Sequence, residues 1–315
     1  MAPAPRTLNT NYSTEEAEVT VQAPDVENAI SVYWQTGCTS CLRVKEFLAG
    51  HGIPFRSRDV LKDEGAMDEL ARFGLRQVPI VVRGNEWANG QILGNVARLC
   101  GIPWGNSDIL PAAELQRRLN AIMAGAERFT RQLPESSLQT HLPNRPRSYA
   151  DLVYHLYNVV DAFVEHEEGI PLVYESYYRL PPKDIQNIEG LIRYGAYVAG
   201  RFSMWFAGPG KKADWGAKAN VYYGSQSLHE FLERTTWHSG QHARQLMWVL
   251  ENMGISPDQR LGEEAFSGLP MPEKVWEDEE AVEKGSSIHH SVAAAGHGLK
   301  GTAPLPIELP DLSAK

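Results

Sequence analysis

An α/β domain followed by an all-α helical domain is the fold class the sequence predicts, in a multidomain chain, and three observations predict it. Between residues 30 and about 100, short apolar runs and helical stretches follow one another in the order β-α-β-α-β-β-α. From about 111 to 253 the apolar positions return at helical spacing. Between the two, Gly101-Ile-Pro-Trp-Gly-Asn-Ser-Asp108 is rich in turn formers and marks a boundary. The expected organisation is an arm over 1–28, an α/β domain over 29–102, a linker over 103–111, a helical domain over 112–257 and a partly disordered extension over 258–315.

The arm carries Pro3, Pro5, Asn9 and Asn11 among polar residues, with no sustained period before Ala29. Ile30-Ser-Val-Tyr-Trp34 then reads as a strand, Gln35-Thr-Gly37 as a turn, and Cys38 opens a helix whose apolar positions Leu42, Val44, Phe47 and Leu48 run to Gly50. A strand over 54–60, a polar helix over 63–73, the strand Val78-Pro-Ile-Val-Val82, a short strand near Glu86-Trp-Ala88 and a helix over about 91–100 complete the domain. Helical period resumes at 111, breaks at Leu133-Pro134, and resumes again after the loop Leu142-Pro-Asn-Arg-Pro-Arg147. Helices over about 183–206 and 228–253 follow, the last one stopped by Gly254 and Pro257. Beyond Pro257 an acidic run, Ala-Gly-rich sequence and Pro304, Pro306 and Pro310 read as a tail.

Composition narrows the function. A 43% hydrophobic, 22% charged chain of 315 residues is ordinary for a globular protein with room for two cores. No apolar run approaches the roughly 18 residues a membrane helix needs, so no membrane partner is expected. The opening residues lack an apolar signal core, which makes the cytoplasm the expected location. A net charge of −9 argues against a nucleic-acid partner, because a phosphate backbone demands a basic face.

Two clusters carry chemistry. In Arg234-Thr-Thr-Trp-His-Ser-Gly-Gln-His-Ala-Arg-Gln-Leu246, His238 and His242 stand four apart on one helix face, inside a stripe with Phe231, Thr235, Gln245 and Val249. Either they are hydrogen-bonded core histidines or they bind a metal, and the second reading needs a third ligand. His155 is the leading candidate, on a helical face with Leu152, Val159 and Ala162; His166 and His229 are its rivals, His229 falling on the opposite face at about 100° per residue. Three histidines leave a coordination position open, as catalytic metals require. Zinc is the expected divalent ion, with nickel, iron and manganese as alternatives. Metal-bound histidines usually hand their second nitrogen to a polar partner, and Arg234 and Glu233 are the candidates for it.

The second cluster is Cys38-Thr-Ser-Cys41. Three cysteines are too few for a secreted disulfide scaffold, and a CxxC within a β-α-β pattern reads as a redox motif; the alternative, a structural zinc half-site, lacks a second cysteine pair. A cysteine at a helix N-terminus feels the positive end of the dipole, so its pKa falls from about 8.5 and Cys38 becomes the nucleophile, with Cys41 resolving. Cys100 reads as a small buried hydrophobe. Arg145 and Arg147 are candidates to clamp a substrate carboxylate. Tyr174, Tyr177, Tyr178, Tyr222, Tyr223 and Trp205 are either core or the lining of a pocket over the metal.

Residues 30–102 resemble a glutaredoxin, a thioredoxin-like fold, on the CxxC after the first strand and on Val78-Pro79, which matches the family's cis-proline. The resemblance implies that glutathione or a similar thiol binds along Gln77, Val78 and Pro79 and at Gly90 and Gln91. There Ala88-Asn-Gly-Gln91 replaces the family's Gly-Gly-x-Asp, and Thr39-Ser40 replaces Pro-Tyr between the cysteines. Residues 112–257 resemble a DinB/YfiT-like four-helix bundle, on His155 and the Thr-Thr-Trp-His-Ser-Gly-Gln-His helix. In that family three histidines hold one divalent metal, and several members are thiol-dependent transferases or isomerases. Together the resemblances imply a glutathione-dependent metalloenzyme acting on a small electrophile by thiol transfer, displacement or addition leading to isomerisation. Its partners are that electrophile and a low-molecular-weight thiol, with a homodimer left open. The competing expectations are a glutathione-disulfide oxidoreductase with a metal-binding helical sensor or scaffold, and a protein that handles metal or oxidant stress.

Overall fold

The computed structural model describes residues 29–105, 109–142 and 145–277. The expected arm over 1–28 and the tail from 278, with His289, His290 and His297, lie outside the described residues. So do parts of the expected linker and of the loop before the His155 helix.

The N-terminal region is a thioredoxin-like α/β unit built on β1 (Ile30–Trp34). β2 (Arg56–Asp59) runs parallel to β1, β3 (Ile80–Arg83) antiparallel to its other edge, and β4 (Glu86–Asn89) antiparallel to β3, giving the order β2-β1-β3-β4. Side chains alternate across this sheet with period two, and both faces are covered. Val32 and Val81 point to one face, packed by α1 (Thr39–Gly50) and α3 (Leu93–Cys100) through Val44, Leu48, Val96 and Ala97. Tyr33, Ile80 and Val82 point to the other, where α2 (Ala66–Ala71) brings Ala66 and Leu70. The sequence over-extended two of these elements. α2 is shorter than the expected 63–73 because Gly65 and Gly74, both at positive φ, bound it. β3 begins at Ile80 because Pro79, joined to Val78 by a cis bond, has no N–H to give to the ladder.

A helical region follows. α4 (Ala112–Gln132), α5 (Tyr149–Glu167), α6 (Ile188–Ala207) and α7 (Leu228–Asn252) share one core, α4 and α5 each packing on α6 and α7. Ile122, Phe129, Leu156, Phe163, Phe202, Phe231 and Leu246 are fully buried in it. Polar caps set the helix starts. Ser148 and Asp151 close a capping box on α5, and Ser227 and Glu230 close one on α7, each satisfying backbone N–H groups that a first turn leaves over. α6 starts at Ile188, five residues later than its expected start, because Pro181-Pro182 precede a single 3-10 turn and Asn187 supplies the cap. A hairpin of β5 (Lys218–Val221) and β6 (Gly224–Ser227), absent from the sequence reading, leads directly into α7.

The described part of the extension folds back. Beyond α7, Leu261 sits on Gly125 of α4, where an added Cβ would come within 2.8 Å of it, and α8 (Glu263–Phe266) follows. The segment 272–277 then crosses from the helices to the α/β unit. Arg244 of α7 donates to the carbonyls of Pro272 and Glu273, both at 2.7 Å, while Glu46 of α1 accepts from the N–H groups of Glu273 and Lys274 at 2.7 and 3.2 Å. Replacing Ser227 by Ala removes the α7 cap and is expected to cost about 1 kcal/mol of stability. A urea midpoint equal to that of the parent protein would contradict this role for the cap.

Candidate functional site

The redox pair lies where β1 hands over to α1. Gly37, at φ +85°, turns the chain in a conformation that favours glycine, and Cys38 then takes the N-cap position, its Sγ accepting from the Cys41 N–H at 3.2 Å. Cys38 and Cys41 form a disulfide. Cys41, on the buried side of α1, packs with Tyr33 and Val78, whereas Cys38 is half-buried and lines a cavity between the α/β unit and the helices. Cys38 is therefore the sulfur that an incoming molecule meets. Cys100 is buried as a free thiol, and burial pushes its pKa up.

The opposite wall of that cavity holds the histidines. His155 of α5 and His238 and His242 of α7 are all buried, and they offer ligand atoms that lie within 4.8 Å of one another. The group could hold a metal ion. His155 Nε2 and His238 Nε2 are 3.3 Å apart, which matches the nitrogen–nitrogen edge of about 3.3 Å that metal–nitrogen bonds of about 2.0–2.1 Å give in a tetrahedron. Burial, with the positive charge of Arg147 next, lowers the pKa of His242 to about 3. Burial and then the neighbouring His242, Arg234, Arg147 and Arg43 push His238 well below the usual range. Both imidazoles are thus neutral, as a metal ligand must be. Gln245, one turn along α7, donates through Nε2 to the Val275 carbonyl at 3.3 Å, so its Oε1 accepts from His242 Nδ1 at 2.7 Å. That leaves the His242 Nε2 lone pair buried with no partner. The rivals lie elsewhere: His229 Nε2 contacts the Leu110 carbonyl at 2.9 Å, and His166 contacts Glu167 and the Asn220 carbonyl.

The remaining expected site residues divide. Val78, Gln91 and Arg147 line the cavity with Cys38 and the histidines. Gln77, Pro79 and Gly90 do not appear in its wall. Gly90 instead lets the backbone close on Pro79 and Val44, since an added Cβ would meet the proline ring at 3.0 Å. Arg145 is engaged by the chain itself: its guanidinium meets the Glu277 carboxylate at 3.1 Å and lies 4.3 Å from the centre of the Trp276 ring. The Glu277 carboxylate also accepts from the Gly37 N–H. Tyr177, Tyr178 and Tyr222 line the cavity, whereas Trp205 packs in the core against Phe163, Phe206 and Trp215.

One functional neighbour escaped the sequence reading, and another takes a different place from the one expected. Gln245, rather than Arg234 or Glu233, holds the second nitrogen of His242; its place three residues on in the same helical stripe was the available signal. Arg234 instead enters the cavity wall, donating to Gln91 Oε1. The cavity, of about 40 Å³, opens beside a wider chamber of about 320 Å³. Gly37, Arg147, His155, Tyr177 and Tyr178 belong to both, and Leu142, Tyr174, Leu180 and Trp276 give the wider one apolar walls.

The glutaredoxin family model matches residues 30–87. Over 66 residues the chain is 39% identical to the N-acetyl-S-hydroxy-L-cysteine reductase of Bacillus subtilis (strain 168), a stretch amounting to 20% of this chain and 70% of the relative. Both similarities support thiol–disulfide redox chemistry at the α/β unit. No helix among the described residues is long and apolar enough to cross a membrane.

Glu233, on α7 behind the cavity, has its carboxyl raised to about 7 by burial, opposed by Arg43 and helped by Glu230. Its protonated form is favoured in the fold, so its contribution to stability is complete below about 4.5 and is lost as pH rises through 7. Urea unfolding at pH 5 and pH 8 checks this: Glu233→Gln should gain stability relative to the parent at pH 8 and little at pH 5. An equal difference at both pH values would rule it out.

Proposed function

Because the chain belongs to the glutaredoxin family through residues 30–87, we propose that it is a thiol-dependent metalloenzyme that joins redox chemistry at Cys38 and Cys41 to a metal centre on a DinB-like four-helix bundle. The observation that carries this reading is the shared cavity, whose wall contains Cys38, His155, His238 and His242. The donor set fits a divalent ion, zinc first, with nickel, iron or manganese as alternatives: three buried imidazoles converge, two of them kept neutral by burial, and His242 Nε2 has no other partner. When bound, such an ion supplies Lewis acidity and lowers the pKa of a thiol that reaches it.

The chain's own residues supply the rest. His155, His238 and His242 hold the centre, and Gln245 fixes the tautomer and ring of His242. The wider chamber, with apolar walls and the Arg147 guanidinium, receives a small electrophile. Glutathione or a similar low-molecular-weight thiol adds to that electrophile, displaces a group from it, or adds reversibly and so isomerises it. In the redox half, the Cys38 thiolate attacks a disulfide of the small thiol and one thiolate leaves. Cys41 then attacks Cys38 and expels the second, so two electrons pass from the protein to the disulfide and the Cys38–Cys41 bond forms. We place this activity in the cytoplasm, where such thiols are kept reduced.

A second reading is supported by the relative's name, a reductase: a disulfide oxidoreductase whose histidine helices serve as a metal-binding sensor or scaffold. Metal analysis of the full chain, combined with a panel of glutathione-reactive electrophiles, separates the two. On the first reading, His242→Ala loses bound metal and at least about a hundredfold of electrophile turnover but keeps disulfide exchange, and Cys38→Ser loses the exchange. Full electrophile turnover by metal-stripped protein would refute the metalloenzyme, and disulfide exchange without any turnover would favour the sensor.

A further inference from the structure

Arg234 is the most unusual charge in the molecule. Only 3% of it is exposed, and its Nε and Nη1 have no hydrogen-bond partner. Nη2 donates to Gln91 Oε1, and the guanidinium is sandwiched between the rings of Tyr177 and Tyr223, whose centres lie 4.9 and 4.6 Å away. It lines the cavity together with Arg147, which makes no side-chain hydrogen bond or ion pair among the described residues. No aspartate or glutamate among the described residues lines that cavity, and its three imidazoles face it as well. The carboxylate whose charge acts on Arg147 is that of Asp151, and its Oδ2 accepts from the Ser148 N–H of the α5 cap. A buried cation without a counter-charge is costly, and Arg234, with the half-buried Arg147 beside it on the cavity wall, calls for an anion that none of the described residues lining the cavity supplies.

We infer that Arg234 and Arg147 form an anion subsite, and that the small thiol or disulfide which reacts at Cys38 presents a carboxylate to it. The guanidinium geometry suits this ligand, because its fork of N–H donors matches the two oxygens of a carboxylate. Cys38 lines the same cavity, so a partner in covalent or near-covalent reach of that sulfur brings its own substituents to the two arginines. The tripeptide glutathione, with two carboxylates, belongs to this class; simple neutral thiols do not. The inference rests on Cys38 being the reactive thiol, as proposed above, and is independent of the metal.

Two symmetrical disulfides test it: dithiodipropionate, a dianion, and bis(2-hydroxyethyl) disulfide, which is neutral. The rate at which each oxidises the reduced full-length chain is measured, and the ratio of the two rates is compared with the ratio given by free dithiothreitol. The chain should favour the dianion by about tenfold beyond dithiothreitol. Arg234→Met and Arg147→Met should each remove most of that preference, the rate with the dianion falling about tenfold more than the rate with the neutral disulfide, and Arg234→Lys should restore part of it. Because Arg234 also holds Gln91, the circular dichroism spectrum and urea midpoint of each variant report that it is folded, and the ratio of the two rates, unlike either rate alone, is unmoved by a general loss of activity. A parent ratio equal to that of dithiothreitol overturns the inference, as does a preference that survives both methionine variants. A preference abolished by chelator treatment but untouched by Arg234→Met also overturns it, by assigning the anion to a metal. Reaction with neither disulfide would bring down the redox reading and the subsite together.

Discussion

The arrangement depends on one buried contact, the Arg234 guanidinium against Gln91. Arg234 stands one turn before His238 on α7, and Gln91 follows β4, 143 residues away in the chain. Holding these two together fixes how the α/β unit sits on the helices, and hence where Cys38 lies relative to the imidazoles. Removing a guanidinium from water is costly, so this contact holds only because the charge is partly offset, by an amide oxygen and by two tyrosine faces. Gln91 is itself oriented by its amide, which donates to the Tyr222 hydroxyl at 3.3 Å. Burial keeps Tyr177, Tyr222 and Tyr223 neutral by raising their pKa, so none of them supplies the missing negative charge.

Around this contact the other bridges between the two regions differ in kind. Arg43 of α1 lies 4.6 Å from the centre of the Trp237 ring, and burial lowers its pKa to about 10, against the opposing pull of Glu233. Ile92, next to Gln91, reaches Gly224 at the tip of the β5–β6 hairpin, a glycine at φ +143° where an added Cβ would meet Ile92 at 2.7 Å. The segment 272–277 adds backbone hydrogen bonds to Glu46 on one side and to Arg244 and Gln241 on the other. Such partly exposed bonds contribute about 0.5–1.5 kcal/mol each, so they align the two regions together rather than singly. Glu277 closes the same edge on Arg145 and Gly37, putting a carboxylate of the chain itself beside the redox turn.

How much of this was legible in the sequence follows from the distance over which each feature acts. The i, i+4 spacing of His238 and His242 and the face shared by Leu152 and His155 are helix geometry, and the three rings do come together. Cys38 and Cys41 sit at the helix start that the apolar pattern of α1 marks, and the order of strands in the α/β unit follows from its alternating runs. Gln245 lay in plain view on the histidine stripe, but nothing local distinguishes a glutamine that holds an imidazole from one that merely packs. Arg234 and Gln91, and Arg145 and Glu277, pair across 143 and 132 residues, and only the docking of the two regions decides those partners. The β5–β6 hairpin is hidden for a different reason: its strands are four residues each and one of them, Gly224-Ser-Gln-Ser227, has no apolar residue to betray it.

Size then constrains how any ligand uses the site. The inner cavity, about 40 Å³, is about three times the roughly 10–15 Å³ that holds one water and an eighth of the outer chamber, so it suits a sulfur or a carboxylate rather than the body of a peptide-sized thiol. The outer chamber, about 320 Å³, falls within the range of about 300–1,000 Å³ typical of small-molecule sites, and it joins the inner one past Gly37, Arg147, His155, Tyr177 and Tyr178. On the proposed reading, a thiol enters head first and leaves its apolar or peptide portion among Leu142, Leu180, Tyr174 and Trp276. The same geometry keeps Cys41 out of the first step: it is buried among Tyr33, Val78 and their neighbours, and only the attack of its thiolate on Cys38 brings it into the reaction. On that reading, a product sulfur released at the histidines is already in the cavity that Cys38 lines. On the same reading, placing both centres on one cavity makes the second step intramolecular in effect, which raises its rate through local concentration without any added contact.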